Sequence, residues 1–384
     1  MTAPIKVGFV GFGLSTNVFH LPWILPNKDL EVYAFVQRAP PSAAATQRFG
    51  HCTDKFPQAK HYQSADALFA DAAVELVVIG TADHFALVTQ ALKAGKHVVV
   101  EKPFTPTSAE ADALIALAKK QGRLLAVFQN RRHDSYFRTL QQLLAAKALG
   151  DVKEAEIHFD PPRNASDPKW SRRWPGQAYT PGDGTIFDLG AHTIDQALTL
   201  FGKPAAVTAF FRSHRSGAGH GSDTHDSFTL VLEYAGSDLL VYVKTSIVSI
   251  LADQLRLAVR GTAGSYVKYG TCPQENRALA APGVAADDTY GVEDPRLWGT
   301  LTTTAPVDAA ACPQTRDEAT GYYVGQYPAL PGDYCAYYRN IVEAIRGTAP
   351  LAVDPQTSRD GIRVIELARK SHETRATVPW SESD

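Results

Sequence analysis

The sequence predicts an α/β protein of two parts: an N-terminal Rossmann domain on a doubly wound parallel sheet, then a C-terminal α/β domain on a large, mostly antiparallel open sheet. Three observations carry this. Over the first 130 residues, short β-rich apolar runs alternate with stretches at helical spacing, the grammar of βαβ units. A glycine turn, Gly11-Phe12-Gly13-Leu14-Ser15-Thr16, follows the first of those runs and opens a helical stretch. From Val207 to Tyr269 the chain reads as several short strands joined by glycine-containing turns, which suits antiparallel pairing.

In order, the N-terminal strands are Ile5–Val10, Leu30–Val36, Leu76–Ile79, His97–Val100 and Leu124–Phe128, and the helical stretches between them are Ala44–Phe49, Ala65–Ala70, Phe85–Ala94 and Ser108–Gln121. Thr107 and Ser108 ahead of Glu110 form an N-cap pattern, and Gly95 and Gly122 stand where helices end. Beyond Asn130 the spacing predicts a helix at Tyr136–Ala146, a polar strand at Val152–Phe159, a loop rich in Pro, Trp and Arg from Pro161 to Gly184, and a helix at Asp188–Leu200. Residues 271–330 read as irregular, and two helices, Asp333–Arg346 and Thr357–His372, close the chain. The boundary falls at 130, giving domains 1–130 and 131–384, with the final helices free to pack back on the first domain.

Composition narrows the function. A length of 384 residues suits two domains, and 45% apolar with 20% charged residues is ordinary for a globular chain. A net charge of −2 supplies no basic field for a nucleic-acid backbone. Cys52, Cys272, Cys312 and Cys335 are dispersed without a C-x-x-C pair, so the spacing suggests neither a disulfide framework nor a zinc site, and no metal is expected. The N-terminus lacks the build of a signal peptide, and no apolar run approaches the roughly 20 residues of a bilayer span. A cytoplasmic enzyme without membrane partners is the expectation.

The glycine turn is built for a pyrophosphate: glycine allows the sharp bend and close backbone approach, and the following helix offers amide donors. The third glycine of the dinucleotide fingerprint is replaced by Thr16, so Ser15 and Thr16 either donate to phosphate or cap the helix. The second strand ends in Gln37-Arg38 rather than a carboxylate, which favours the 2′-phosphate of NADP over NAD. Glu101-Lys102-Pro103 closes a buried strand at the carboxyl edge of the sheet, where a partly desolvated lysine can carry a proton. Asp188, His192 and Asp195 share a face at helical spacing, which fits a carboxylate-oriented base, a metal-binding line, or a structural pair.

Taken in order, the glycine turn, Ala94-Gly95-Lys96-His97-Val98 with Glu101-Lys102-Pro103, Phe128-Gln129-Asn130-Arg131-Arg132 and Asp188-Leu189-Gly190-Ala191-His192-Thr193-Ile194-Asp195 resemble the Gfo/Idh/MocA oxidoreductase family over nearly the whole chain. Val18-Phe19-His20, Ser265 to Gly270 and Tyr334 to Tyr338 are similar to its NADP-dependent scyllo-inositol 2-dehydrogenase branch. The resemblance implies oxidation of a secondary alcohol on a cyclic polyol or sugar, with Lys102, Asp188 and His192 as the catalytic group. It places Asn130, Arg132, Asp160 and Arg163 around substrate, beside that catalytic group. The cofactor falls to Gly11, Gly13, Leu14, Ser15, Thr16, Gln37, Arg38, Thr81, Ala82, His84, Glu101, Lys102, Pro103, Gln129, Asn130 and Trp174. It also implies a homodimer or homotetramer formed through the C-terminal sheet. A non-catalytic nucleotide sensor is the other activity known among chains that resemble this family. The sequence departs from the family at Thr81-Ala82-Asp83-His84, at the loop after Asp160 and at His133, positions that bear on substrate choice.

Overall fold

The computed structural model describes residues 3–41, 48–161, 179–214 and 225–381. The chain divides into two compact units. The first comprises Met1–His133, Pro273–Gly291 and Asp333–Arg359, and the second Asp134–Cys272, Val292–Gly332 and Asp360–Asp384.

In the first unit six strands, β1 (Ile5–Val10), β2 (Leu30–Val36), β3 (Lys60–Tyr62), β4 (Leu76–Ile79), β5 (His97–Val100) and β6 (Leu125–Val127), form a sheet of order β3-β2-β1-β4-β5-β6. Every pairing is parallel. A parallel sheet covered on both faces buries whole strands rather than alternate residues, and Val98, Val99 and Val100 of β5 are all fully buried. Each such side chain contributes on the order of 1.5–3 kcal/mol of transfer free energy. The helix Ser108–Gln121 begins where Thr107 accepts the amide of Glu110 and ends at Gly122, whose φ of 61° is left-handed. A cap of this kind is worth about 1 kcal/mol. The predicted helix Ala44–Phe49 lies largely outside the described residues. Strand β3 escaped the pattern because Lys60-His61-Tyr62 carries no aliphatic residue.

The late segments of this unit complete its core by aromatic packing. Trp23 meets Tyr290 and Tyr334 edge-on at 5.5 and 5.0 Å, and Phe128 meets Tyr337 at 4.9 Å.

The second unit is built on ten strands. Those the argument needs are β7 (Val152–His158), β8 (Ala206–Arg212), β9 (Ser227–Glu233), β10 (Leu240–Ser246), β11 (Leu255–Gly261), β12 (Gly264–Tyr269), β13 (Gly299–Thr303), β14 (Thr315–Arg316), β15 (Tyr323–Tyr327) and β16 (Val378–Pro379). Their order is β14-β15-β13-β12-β11-β7-β10-β9-β8-β16, antiparallel throughout except where β7 meets β10. Burial alternates along β8 to β10: Val207, Ala209, Phe211, Phe228, Leu230, Leu232, Val241 and Val243 point inward. The helix Ala191–Phe201 packs on that inner face against β7 and β10.

Two expectations need correction here. Residues 271–330 are not irregular: they hold a helix, Gln274–Ala280, and strands β13 to β15 at one edge of the sheet. The strands are Thr-, Tyr- and Gly-rich, with little apolar alternation to announce them. Gly299 is required in β13, since a Cβ there would lie 2.4 Å from the Tyr266 ring. The helix read as Asp188–Leu200 is wound in two ways, a π turn over Ile186–Gly190 and an α-helix from Ala191. The wider turn inserts an extra residue per hydrogen-bonded ring, and Asp188 lies within it.

Candidate active site

In a parallel sheet of this order the direction of winding reverses between β1 and β4, and a crevice opens outside their carboxyl ends. Gly11 leaves β1 with φ of +102°, and a Cβ there would sit 2.9 Å from Thr81 Cγ2 beyond β4. The two strand ends thus touch through a position only glycine fills. A cleft of about 870 Å³ lies here, lined by Gly11 to Gly13 on one side, Gln37 and Arg38 at the end of β2, and Thr81 to Asp83.

The residues present fit a dinucleotide. A Cβ on Gly13 would meet nothing within 4 Å, so its backbone faces open space in the cleft. Thr81 Oγ1 is buried without a hydrogen-bond partner among the described residues, leaving a hydroxyl for a ligand oxygen. Arg38 is exposed at the mouth.

Several predicted cofactor residues are engaged with the protein. Thr16 Oγ1 donates to the Gly11 carbonyl at 2.7 Å and Asn17 Nδ2 to the carbonyls of Phe12 and Gly13, so Thr16 braces the turn from within. Ser15 opens a π turn, Ser15–His20, and donates to Glu101 Oε1 at 2.8 Å. Leu14 is exposed ahead of that turn. The Gln37 amide accepts from the Cys52 N–H at 2.8 Å and donates to the Gly50 carbonyl at 3.1 Å. Ala82 and Asp83 are exposed on the cleft wall. His84 opens the next helix and shares a 2.8 Å hydrogen bond with the Pro103 carbonyl, while burial lowers its pKa.

Glu101 is the hub of the carboxyl edge. Its Oε1 takes Ser15 Oγ and lies 3.2 Å from His20 Nε2, and its Oε2 accepts the Lys102 N–H at 3.1 Å. Burial alone would raise this carboxyl; the His20 hydrogen bond and charge, then Lys102 and Ser15, outweigh it and hold the pKa below the usual glutamate value. Lys102 and Pro103 follow, half-buried and joined by a cis peptide bond. Beyond β6, Gln129 and Asn130 are buried, and Arg132 donates to the Ala352 carbonyl at 3.3 Å. The neighbouring Arg131 is paired with Glu275.

The second unit carries the remaining residues. His192 is buried, with its ring 6.0 Å from that of Phe159 at the end of β7, and Arg256 lies over the same Phe159 ring at 4.7 Å. Asp195 is buried on that helix and Asp188 half-buried in the π turn. The Asp160 carboxylate is committed to His158 Nδ1 at 3.0 Å and to the Ser246 N–H at 2.7 Å. Arg163 and Trp174 lie outside the described residues. Sequence reasoning did not assign His20 or Tyr338 to the site, although His20 Nε2 faces its central carboxylate at 3.2 Å; their partners lie far along the chain, where spacing carries no signal.

The strand order and the glycine turn at its switch point define a dinucleotide-binding Rossmann protein. Residues 5–129 match the oxidoreductase family with an NAD-binding Rossmann fold, and residues 137–267 match the GFO/IDH/MocA C-terminal domain. The chain belongs to the Gfo/Idh/MocA family and is an oxidoreductase. It is 37% identical to an uncharacterised oxidoreductase of Schizosaccharomyces pombe over 99% of this chain and 100% of that one. It is 34% identical to scyllo-inositol 2-dehydrogenase (NADP(+)) of Bacillus subtilis over 97% of this chain and 95% of that one. Among solved structures, an oxidoreductase from Bacillus cereus superposes with a TM-score of 0.81 at 26% identity, covering 98% of this chain and 100% of that one. No helix among the described residues is long and apolar enough to cross a membrane.

Proposed function

We propose that this enzyme reversibly oxidises a secondary alcohol of a cyclic polyol or sugar, using NADP. The observation that carries the reading is the nucleotide cleft: glycine backbone open to the ligand at Gly13, and Arg38 rather than a carboxylate at the end of β2. Gly11, Gly13 and Leu14 hold the pyrophosphate, Arg38 grips the 2′-phosphate and Thr81 supplies a hydroxyl. Bound NADP supplies the acceptor for the hydride that leaves the alcohol carbon. Lys102 and His192 hold and move the hydroxyl proton, and Asp188 orients the imidazole. Asn130 and Arg132 bind substrate. The scyllo-inositol dehydrogenase activity of the Bacillus subtilis relative supports the substrate class. The protein works as a homo-oligomer through the outward face of its ten-stranded sheet, where Phe210 and Tyr269 are 50% and 48% exposed.

The test is to incubate purified protein with NADP and a panel of inositols, aldoses and anhydrosugars and to follow absorbance of the reduced cofactor. Turnover of none of them, in either direction, overturns the reading. Lys102→Ala and His192→Ala should each lower kcat by at least about 10²-fold while cofactor affinity stays within about twofold. Full activity in both variants overturns the roles.

A further inference from the structure

Beyond the cleft, the chain returns from β2 through Gly50 and the short helix Cys52–Lys55 to the edge strand β3. There His51, Cys52 and His61 come together, one ligand atom from each, all within 4.8 Å of one another. His51 is 0% and Cys52 1% exposed, so the cluster is internal. We propose that His51, Cys52 and His61 bind a zinc-like divalent transition-metal ion.

Two imidazoles and a thiolate suit borderline-soft ions such as Zn²⁺ and exclude Mg²⁺ and Ca²⁺, which take oxygen. His61 is held as a metal-binding imidazole is held, with its spare nitrogen on an oxygen. His61 Nε2 lies 2.9 Å from the Gln37 carbonyl. A carbonyl only accepts, so Nε2 carries the proton and Nδ1 keeps its lone pair. His51 Nδ1 lies 2.7 Å from Thr53 Oγ1 and accepts the Thr53 N–H at 3.3 Å, and His51 Nε2 is buried with no hydrogen-bond partner among the described residues. A buried ring nitrogen without a partner is uncommon and asks for one. Binding the ion through that Nε2 exchanges the accepted Thr53 N–H for a proton on Nδ1, which Thr53 Oγ1 takes. A tetrahedral ion with zinc's bond lengths sets its ligands roughly 3.3–3.8 Å apart. The 4.8 Å limit therefore leaves about 1 Å to close. Three protein ligands leave one position for water.

The site would clamp the segment that presents Arg38. Gln37 touches it twice, through the carbonyl that holds His61 and through the side-chain oxygen that accepts the Cys52 N–H at 2.8 Å.

The experiment titrates chelator-stripped full-length protein with Co²⁺, which reports thiolate ligation by a charge-transfer absorption in the near ultraviolet. One equivalent should bind, with that band, and Zn²⁺ should displace it. Cys52→Ala should lose the band and Cys335→Ala should keep it. Zinc X-ray absorption on the wild-type protein should show one sulfur and two imidazoles, a result that depends on no variant's folding. Absence of the band in wild type, its persistence in Cys52→Ala, or a sulfur-free zinc shell overturns the site.

Discussion

His20 Nδ1 lies 2.6 Å from the Tyr338 hydroxyl, joining the first helical turn after the glycine loop to a helix 318 residues later. Both side chains are fully buried. The other ring nitrogen faces Glu101 Oε1, so one imidazole spans a phenol and a carboxylate. Burial first, then Tyr337 and Glu101, pushes the Tyr338 hydroxyl well above its ordinary pKa, so it remains a donor. Tyr338→Phe deletes that donor and leaves a buried nitrogen unsatisfied, which costs about 1–3 kcal/mol. Chemical denaturation should show that loss. A change under about 0.5 kcal/mol would mean the bond contributes little net stability.

The same cluster makes stability depend on pH. The folded pKa of Glu101 is lowered from its ordinary value of 4.5, so the native state binds its proton less readily than the unfolded chain does. Its contribution is therefore fully present above pH 4.5 and is lost as pH falls from there through the folded value. Glu101→Gln should be less stable than wild type at neutral pH, and the difference should shrink on acidification below about pH 4.5. Parallel profiles for the two proteins across that range would remove Glu101 as the cause.

The first sheet was legible because parallel strands buried on both faces appear as unbroken apolar runs, such as Val98 to Val100, and because Gly11 stands where the chain must turn. The second sheet was legible only where burial alternates, as in β8 to β10. Strands β13 to β15 carry Thr, Tyr and Gly largely in place of aliphatic residues and gave no such pattern. The π turn at Ile186–Gly190 was hidden because π and α turns draw on the same residues. At the site, the residue types were visible but their engagements were not: nothing local to Ser15 says that its hydroxyl goes to Glu101, 86 positions on. His51-Cys52 and His61 meet only because β3 pairs alongside β2.

The two glycines of the turn should separate folding from binding. Gly11 has a left-handed φ, and a Cβ there meets Thr81, so Gly11→Ala should destabilise by about 1–3 kcal/mol. Gly13 faces open space, so Gly13→Ala should unfold within about 1 kcal/mol of wild type while cofactor affinity falls tenfold or more. Equal losses of stability in both variants would refute the assignment of Gly13 to ligand approach.

Phe210 stands outward from β8 between the buried Ala209 and Phe211, and Tyr269 ends β12 on the same outward side. If that face joins protomers, Phe210→Glu places a charge in an apolar interface. Sedimentation should then show a smaller species with helix and strand content unchanged. An unaltered molecular mass would place the interface elsewhere.

On the proposed reading, Arg38 decides between nucleotides by charge. A guanidinium holding a phosphate makes charge-assisted, bidentate hydrogen bonds worth about 1.5–3 kcal/mol. Arg38→Ala should therefore raise the Kd for NADP about 10- to 150-fold and leave that for NAD nearly unchanged, since a 2′-hydroxyl offers the guanidinium no charge. Arg38→Asp should go further, because a carboxylate at the end of β2 accepts from the ribose hydroxyls and repels the phosphate, so the preference should invert. Titration of both nucleotides against the wild type and the two variants measures the ratio directly, independent of turnover. If that ratio is the same in all three proteins, the 2′-phosphate is held elsewhere and Arg38 is a surface residue.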